Sequence, residues 1–214
     1  MELIITTYCH INENKVIVND NLLFFQGNFI TFADFIKAVY KQEQIAYPKF
    51  YKMDAVSKLG FLATDLAIRT RSIADYSSEA VGVVFANSSS SLDTDIAHNE
   101  TIRDRNKYFP SPSVFVYTLP NIVIGEVCIR HRIKGENAFL VSESFDSRMI
   151  FNVVHDWVEN YNMEACVCGW VELMGNKSNA LIMLVEKRQK DEKHGTFTPV
   201  PFTPEQMNQL LERN

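Results

Sequence analysis

The sequence predicts an α/β fold, a mixed sheet covered by helices. Three observations lead there. Short apolar runs rich in β-branched residues recur along the chain, as in Glu79-Ala-Val-Gly-Val-Val-Phe-Ala86. Between them lie stretches whose apolar residues return every three or four positions. The two kinds alternate, which is the pattern of strands interleaved with covering helices. The 214 residues are 46% hydrophobic and 22% charged, enough apolar material for a core and no basis for disorder. A net charge of −5 argues against a nucleic-acid binder, whose affinity rests on a basic surface. The 15 Phe and 8 Tyr suit a dense core or an apolar interface equally well.

In order, the first thirty residues set Leu3-Ile-Ile5, Val16-Ile-Val18 and Leu22-Leu-Phe-Phe25 between Asn/Asp-rich punctuation, which predicts strands and hairpin-like turns. Asn19-Asp-Asn21 is a turn, since both residue types tolerate left-handed backbone. Met53, Val56, Leu59, Leu62 and Leu66 share one helical face. Residues 79–86 form a strand buried on both faces. Ser88 to Ser91 make a loop, followed by a polar helix from about Leu92 to Lys107. Pro110 and Pro112 break the chain before Val114-Phe-Val-Tyr117, and Pro120 opens a helix running from Ile122 to about Arg132. Ala138-Phe-Leu-Val-Ser142 is a strand, residues 149–157 a helix, and residues 165–171 and 180–185 two strands joined by a turn over 174–178. Residues 1–188 read as one domain and 189–214 as a C-terminal tail that either docks on the body or stays free.

No basic, signal-like segment opens the chain and no run approaches the ~18 apolar residues of a membrane span, so the expectation is a cytoplasmic protein without a span. Cys166 and Cys168 lie two apart in a strand and point to one face. No second cysteine pair exists to complete a zinc site, so they read as small core residues; no metal and no cofactor is expected. His10, His98 and His194 have no partners at ligand spacing.

Four motifs in order resemble the N-terminal half of a β-ketoacyl synthase, a thiolase-like fold. They are Met53-Asp-x-x-Ser57-Lys58-Leu59, the strand of residues 79–85, Thr118-Leu-Pro-Asn121-x-x-x-Gly125 followed by Gly135-x-Asn137, and Gly169-x-Val-Glu172 with Asn179-Ala180-Leu. They cover roughly residues 50–188 and are most similar to the short ketosynthase-like proteins of aryl-polyene and related pathways. The resemblance implies a thiolase-like half with a mixed five-stranded sheet.

It also implies where a nucleophile would stand. Counting from Gly135 and Asn137, the position of the family's catalytic cysteine falls on Ser144, within Val141-Ser-Glu-Ser-Phe-Asp-Ser147. A serine there is a nucleophile only if a base takes its proton. Otherwise it serves as a helix N-cap, the reading preferred here. Glu143 stands where the family carries a small residue; it opposes an anion at 144 or acts as a base, and a structural or interface role is the reading preferred. His131 precedes the strand at a distance from Ser144 that the sequence does not give. His155 lies eleven residues beyond Ser144, ~16 Å along a helix and out of reach. The family's paired histidines belong to a C-terminal half that would begin beyond residue 214.

The expectation is therefore a ketosynthase-like subunit without catalysis, similar to a chain-length factor, in fatty-acid, polyketide or aryl-polyene synthesis. The alternative is an acyltransferase or hydrolase using Ser144 with a base from Glu143, His131 or a partner chain. The family pairs across the strand before the nucleophile, here Ala138, Phe139, Leu140 and Val141. The implied partners are a full-length ketosynthase or a second copy, and an acyl carrier protein. The run of Ser88 to Ser91 is read as a plain loop in preference to a phosphate-binding nest.

Overall fold

The computed structural model describes residues 2–25, 27, 31–106, 108–188 and 197–213. The chain begins with β1 (Leu3–Asn12), β2 (Lys15–Val18) and β3 (Asn21–Phe25), then α1 (Phe32–Gln42), a 3-10 turn (Pro48–Lys52) and α2 (Ala55–Arg69). After β4 (Val81–Asn87) come α3 (Leu92–Ile102), α4 (Pro112–Phe115), a second 3-10 turn (Val116–Thr118) and α5 (Ile122–His131). The chain continues through β5 (Asn137–Val141), α6 (Ser147–Asn160), β6 (Ala165–Met174), β7 (Lys177–Lys187), β8 (Val200–Pro201) and α7 (Pro204–Glu212).

One sheet organises the described residues, in the order β3-β2-β1-β7-β6-β4-β5, with β8 on β1. β4 pairs in parallel with β5 and β6, and the other pairings are antiparallel. The sheet has eight strands, not five: the N-terminal hairpin β2–β3 extends the main sheet, and the tail contributes β8. The alternation of β6 divides the core. Ala165, Val167, Val171 and Leu173 face the layer of α1, α2 and α5, while Cys166, Cys168 and Trp170 face α6 and α7. In β1 a bulge between Ile5 and Thr7 reverses that parity, so Ile5 and Tyr8 share one face and Cys9 and Ile11 the other.

Local chemistry explains the joints. Asn19 and Asp20 both take positive φ, 51° and 66°, as the turn reading required, and the Asn19 side chain accepts the Tyr8 amide at 2.8 Å. Helix α1 is absent from the sequence reading, although Thr31 accepts the Asp34 amide and Phe32, Phe35, Ile36, Val39 and Tyr40 line its buried face. The polar helix α3 stops at Ile102, short of the expected 107, because the chain folds back and the Phe109 amide donates to the Thr101 carbonyl at 3.0 Å. Lys107 lies outside the described residues.

Two motif glycines are required by close approach. A Cβ on Gly135 would lie 2.4 Å from the Val81 carbonyl oxygen, where β5 enters beside β4. One on Gly169 would lie 1.9 Å from the Leu181 carbonyl oxygen across β6 and β7. The described part of the tail docks. Val200 and Pro201 pair with Ile5 and Ile4, Met207 and Leu210 are fully buried over α6, and Arg213 reaches Asp20.

Candidate functional site

Strand β5 lies at the sheet edge, paired only with β4 among the described residues. At its C-terminal end the Ser142 amide donates to the Asn87 carbonyl at 3.0 Å, and the Ser142 hydroxyl donates to the Ser144 carbonyl at 2.7 Å. These bonds fold residues 142–145 into a bend before α6. A cleft of about 440 Å³ opens there, lined by Ser142 to Arg148 and by Asn208 from α7. Ser144 and Glu143 are both exposed in it. The Ser144 hydroxyl makes no hydrogen bond to another described residue.

The preferred N-cap reading of Ser144 is corrected. The cap is Asp146, whose carboxylate accepts the Met149 amide at 2.9 Å. The reason is spacing, since α6 starts at Ser147 and an N-cap side chain reaches the amide three residues on. Ser144 therefore stands two residues before the cap, beyond reach of the amides of the first turn.

The structure does not bring His131 beside Ser144: it closes α5, before β5 begins, while Ser144 follows β5, and the two line different clefts. His131 instead sits 3.7 Å from Asp65, whose carboxylate also accepts from Arg130 Nε at 3.1 Å and pairs with Arg69. Burial pulls the His131 pKa down to about 4; Arg130 pulls the same way, and Asp65 opposes them only in part. The imidazole is thus neutral at pH 7. It lines, with Glu43, Asp65, Arg69 and Arg130, a cleft of about 660 Å³ where the C-terminal ends of α1, α2 and α5 meet. This ion-pair network holds three helix ends together, with basic groups placed against their carbonyls. His155 stays on α6, 3.2 Å from Glu159 and against Phe151.

The serine run does form a nest of amides, but this protein fills it. Glu172 accepts from the Ser88 amide and hydroxyl, both at 2.6 Å, and from the Ser89 amide at 3.2 Å. Partial burial works to raise the Glu172 pKa, yet these bonds together outweigh it and the net shift is downward. The motif residue Glu172 thereby ties the end of β6 to the loop after β4. Cys9, Cys166 and Cys168 are buried in the core, and burial raises the pKa of each. Among the described residues no group of three His, Cys, Asp or Glu could hold a metal ion. No single described helix is long and apolar enough to cross a membrane.

An edge strand entering a bend and a helix, beside a parallel neighbour and with helices on both faces, is an arrangement found among solved structures. A chain of "The ishigamide ketosynthase/chain length factor" superposes with TM-score 0.65 at 15% identity, covering 90% of this chain and 64% of its own length. The chain has a ketosynthase-type fold. A chain from the complex of the ketosynthase ApeO with its chain length factor ApeC, from Xenorhabdus doucetiae, matches with TM-score 0.59 at 12% identity, over 99% of this chain and 90% of its own. The AntDE:AntF assembly, a type II PKS acyl-carrier protein in complex with its ketosynthase, gives TM-score 0.59 at 13% identity, over 87% of this chain and 63% of its partner in the comparison. This ketosynthase-type chain thus spans less than two thirds of the ishigamide and AntDE:AntF chains. No protein-family model and no curated protein matches the sequence.

Proposed function

We propose that this chain is a catalytically silent ketosynthase-type subunit, acting like a chain-length factor beside a full-length ketosynthase in cytoplasmic fatty-acid, polyketide or aryl-polyene synthesis. One observation carries the reading: the serine at the nucleophile position lies exposed in a polar cleft lined by Glu143 and Asp146, with no imidazole in the lining. A developing oxyanion there meets two carboxylates, Glu143 and Asp146, against the single guanidinium of Arg148. The cleft walls are hydroxyl, carboxylate, amide and guanidinium groups with Phe145 as their one ring, a poor seat for an acyl chain.

The partner docks on β5. An open edge strand with unpaired amides and carbonyls takes up another strand unless it is protected. Ala138, Phe139 and Leu140 are half-buried and Val141 is exposed, with no charged residue within the strand. The ketosynthase complexes among the structural neighbours support a partner of this kind, and an acyl carrier protein as a further one.

The test is acylation. Purified chain is incubated with an activated acyl thioester and followed by intact mass. The silent-subunit reading expects no adduct that depends on Ser144. A stable adduct lost in Ser144→Ala would replace it with an acyltransferase or hydrolase that uses Glu143 as base.

A further inference from the structure

We infer that α7 is an acid-released latch: a proton taken up by His10 lifts the C-terminal turns of α7 from β1 and draws Asn208 out of the Ser144 cleft. The latch does not depend on the silent-subunit reading.

His10 stands near the end of β1, between Ile17 of β2 and Leu181 of β7, and is 1% exposed. By alternation it shares the face of Tyr8, the face that α6 and α7 cover. Its Nε2 lies 3.2 Å from Asn179 Oδ1, while its Nδ1 is buried with no hydrogen-bond partner. A buried polar atom left open in this way calls for a reason beyond packing. The end of α7 closes over the ring, with the Arg213 backbone beside it.

That end of α7 is held by a polar lock. Arg213 pairs with Asp20, Tyr8 Oη donates to Asp20 at 2.7 Å, and Phe197 meets the Tyr8 ring edge-on. Asp20 is therefore already shared, and burial raises the Tyr8 pKa, which keeps that group neutral. Among the described residues, a charged His10 ring would find the Asn179 oxygen and the Arg213 backbone but no carboxylate of its own. Burying such a charge is unfavourable by several kcal/mol at the least, so water must be let in. The element that can yield is α7. With nine residues it is too short to persist as an undocked helix, and it keeps its form only while Met207 and Leu210 are seated. Asn208 lies between those two and walls the Ser144 cleft, so undocking opens that wall.

Burial lowers the His10 pKa against the opposing pull of Asn179 and the Arg213 backbone. The released ring returns to the ordinary ~6.5, so docking is full above pH 6.5 and weakens as pH falls. The opening equilibrium rises by about tenfold per unit until the docked ring itself takes the proton. His155 also reaches the tail, through Phe151 and its stacking partner Phe202, and it pairs with Glu159. It therefore needs its own control.

The experiment is hydrogen exchange of the full chain from pH 7.5 to 5, corrected for the intrinsic rate. Protection of the α7 amides, that of Asn208 included, should fall about tenfold per unit below pH 6.5, while α2 stays unchanged. His10→Gln should abolish the fall and His155→Gln should not. The wild-type His10 ring is titrated in parallel by NMR and should titrate below 6.5, which keeps the test if a variant fails to fold. Protection of α7 that ignores pH, a fall equally large in His10→Gln, or a ring titrating at 6.5 or above would each overturn the latch. All of these outcomes leave the silent-subunit reading untouched.

Discussion

Placing a thiol at residue 144, the proposed nucleophile position, tests the physical basis of the silent reading. In Ser144→Cys the sulfur would stand three residues before α6, whose first-turn amides include the Met149 amide already held by Asp146. The helix field falls off within a turn, so it would lower the thiol little. Glu143 and Asp146 act the other way. A unit charge about 6 Å away in a water-like dielectric is worth about 0.7 kcal/mol, or about half a pKa unit, so the two carboxylates less the opposing Arg148 raise the thiol by about that much. From the ordinary ~8.5 the expected value is about 9, leaving about 1% thiolate at pH 7. The assay is the pH dependence of iodoacetamide alkylation at residue 144, read by peptide mass. A midpoint below 7.5 would mean that the bend stabilises an anion after all, and the argument from the carboxylates would be wrong.

Three further outcomes follow from the same geometry. Gly135→Ala drives a Cβ against two backbone carbonyls, of Val81 and Glu79, and should cost about 2 kcal/mol or more in urea unfolding; an unchanged midpoint would refute the close-approach account. Asp146→Ala removes the α6 cap and should cost about 1 kcal/mol, whereas Ser144→Ala should cost almost nothing, the reverse of the order expected if Ser144 were the cap. His131 has a folded pKa near 4, below its unfolded ~6.5, so the unfolded chain binds the extra proton between these values. Its contribution is full above pH 6.5 and is lost as pH falls towards 4, by about 3 kcal/mol. His131→Asn should flatten that part of the urea midpoint against pH curve, and an unaltered curve would place the titration elsewhere.

Much of the fold was legible because local chemistry and tertiary structure agree. The unbroken apolar run of residues 81–86 became the doubly buried β4, and Asn19-Asp20 turned the hairpin through positive φ. Helix α1 carries the same kind of local signal, with Thr31 as cap and Phe32, Phe35, Ile36 and Val39 spaced for one face. The bend was harder to read. Ser144, Asp146 and Ser147 are all competent caps, and the choice among them depends on where β5 releases the chain, which the Ser142 to Asn87 bond fixes across two strands.

The sequence by itself determined most of the alternation of strands and helices and the two-sided burial of the central strands, because each depends on periodicity along the chain; the residue proposed to stand where a thiol would came from the family resemblance. Only the tertiary structure decided that the Ser88 nest is filled by Glu172 and that His131 and Ser144 line different clefts. Those are distances between residues far apart in sequence, set by how the sheet stacks its strands, and no local pattern encodes them.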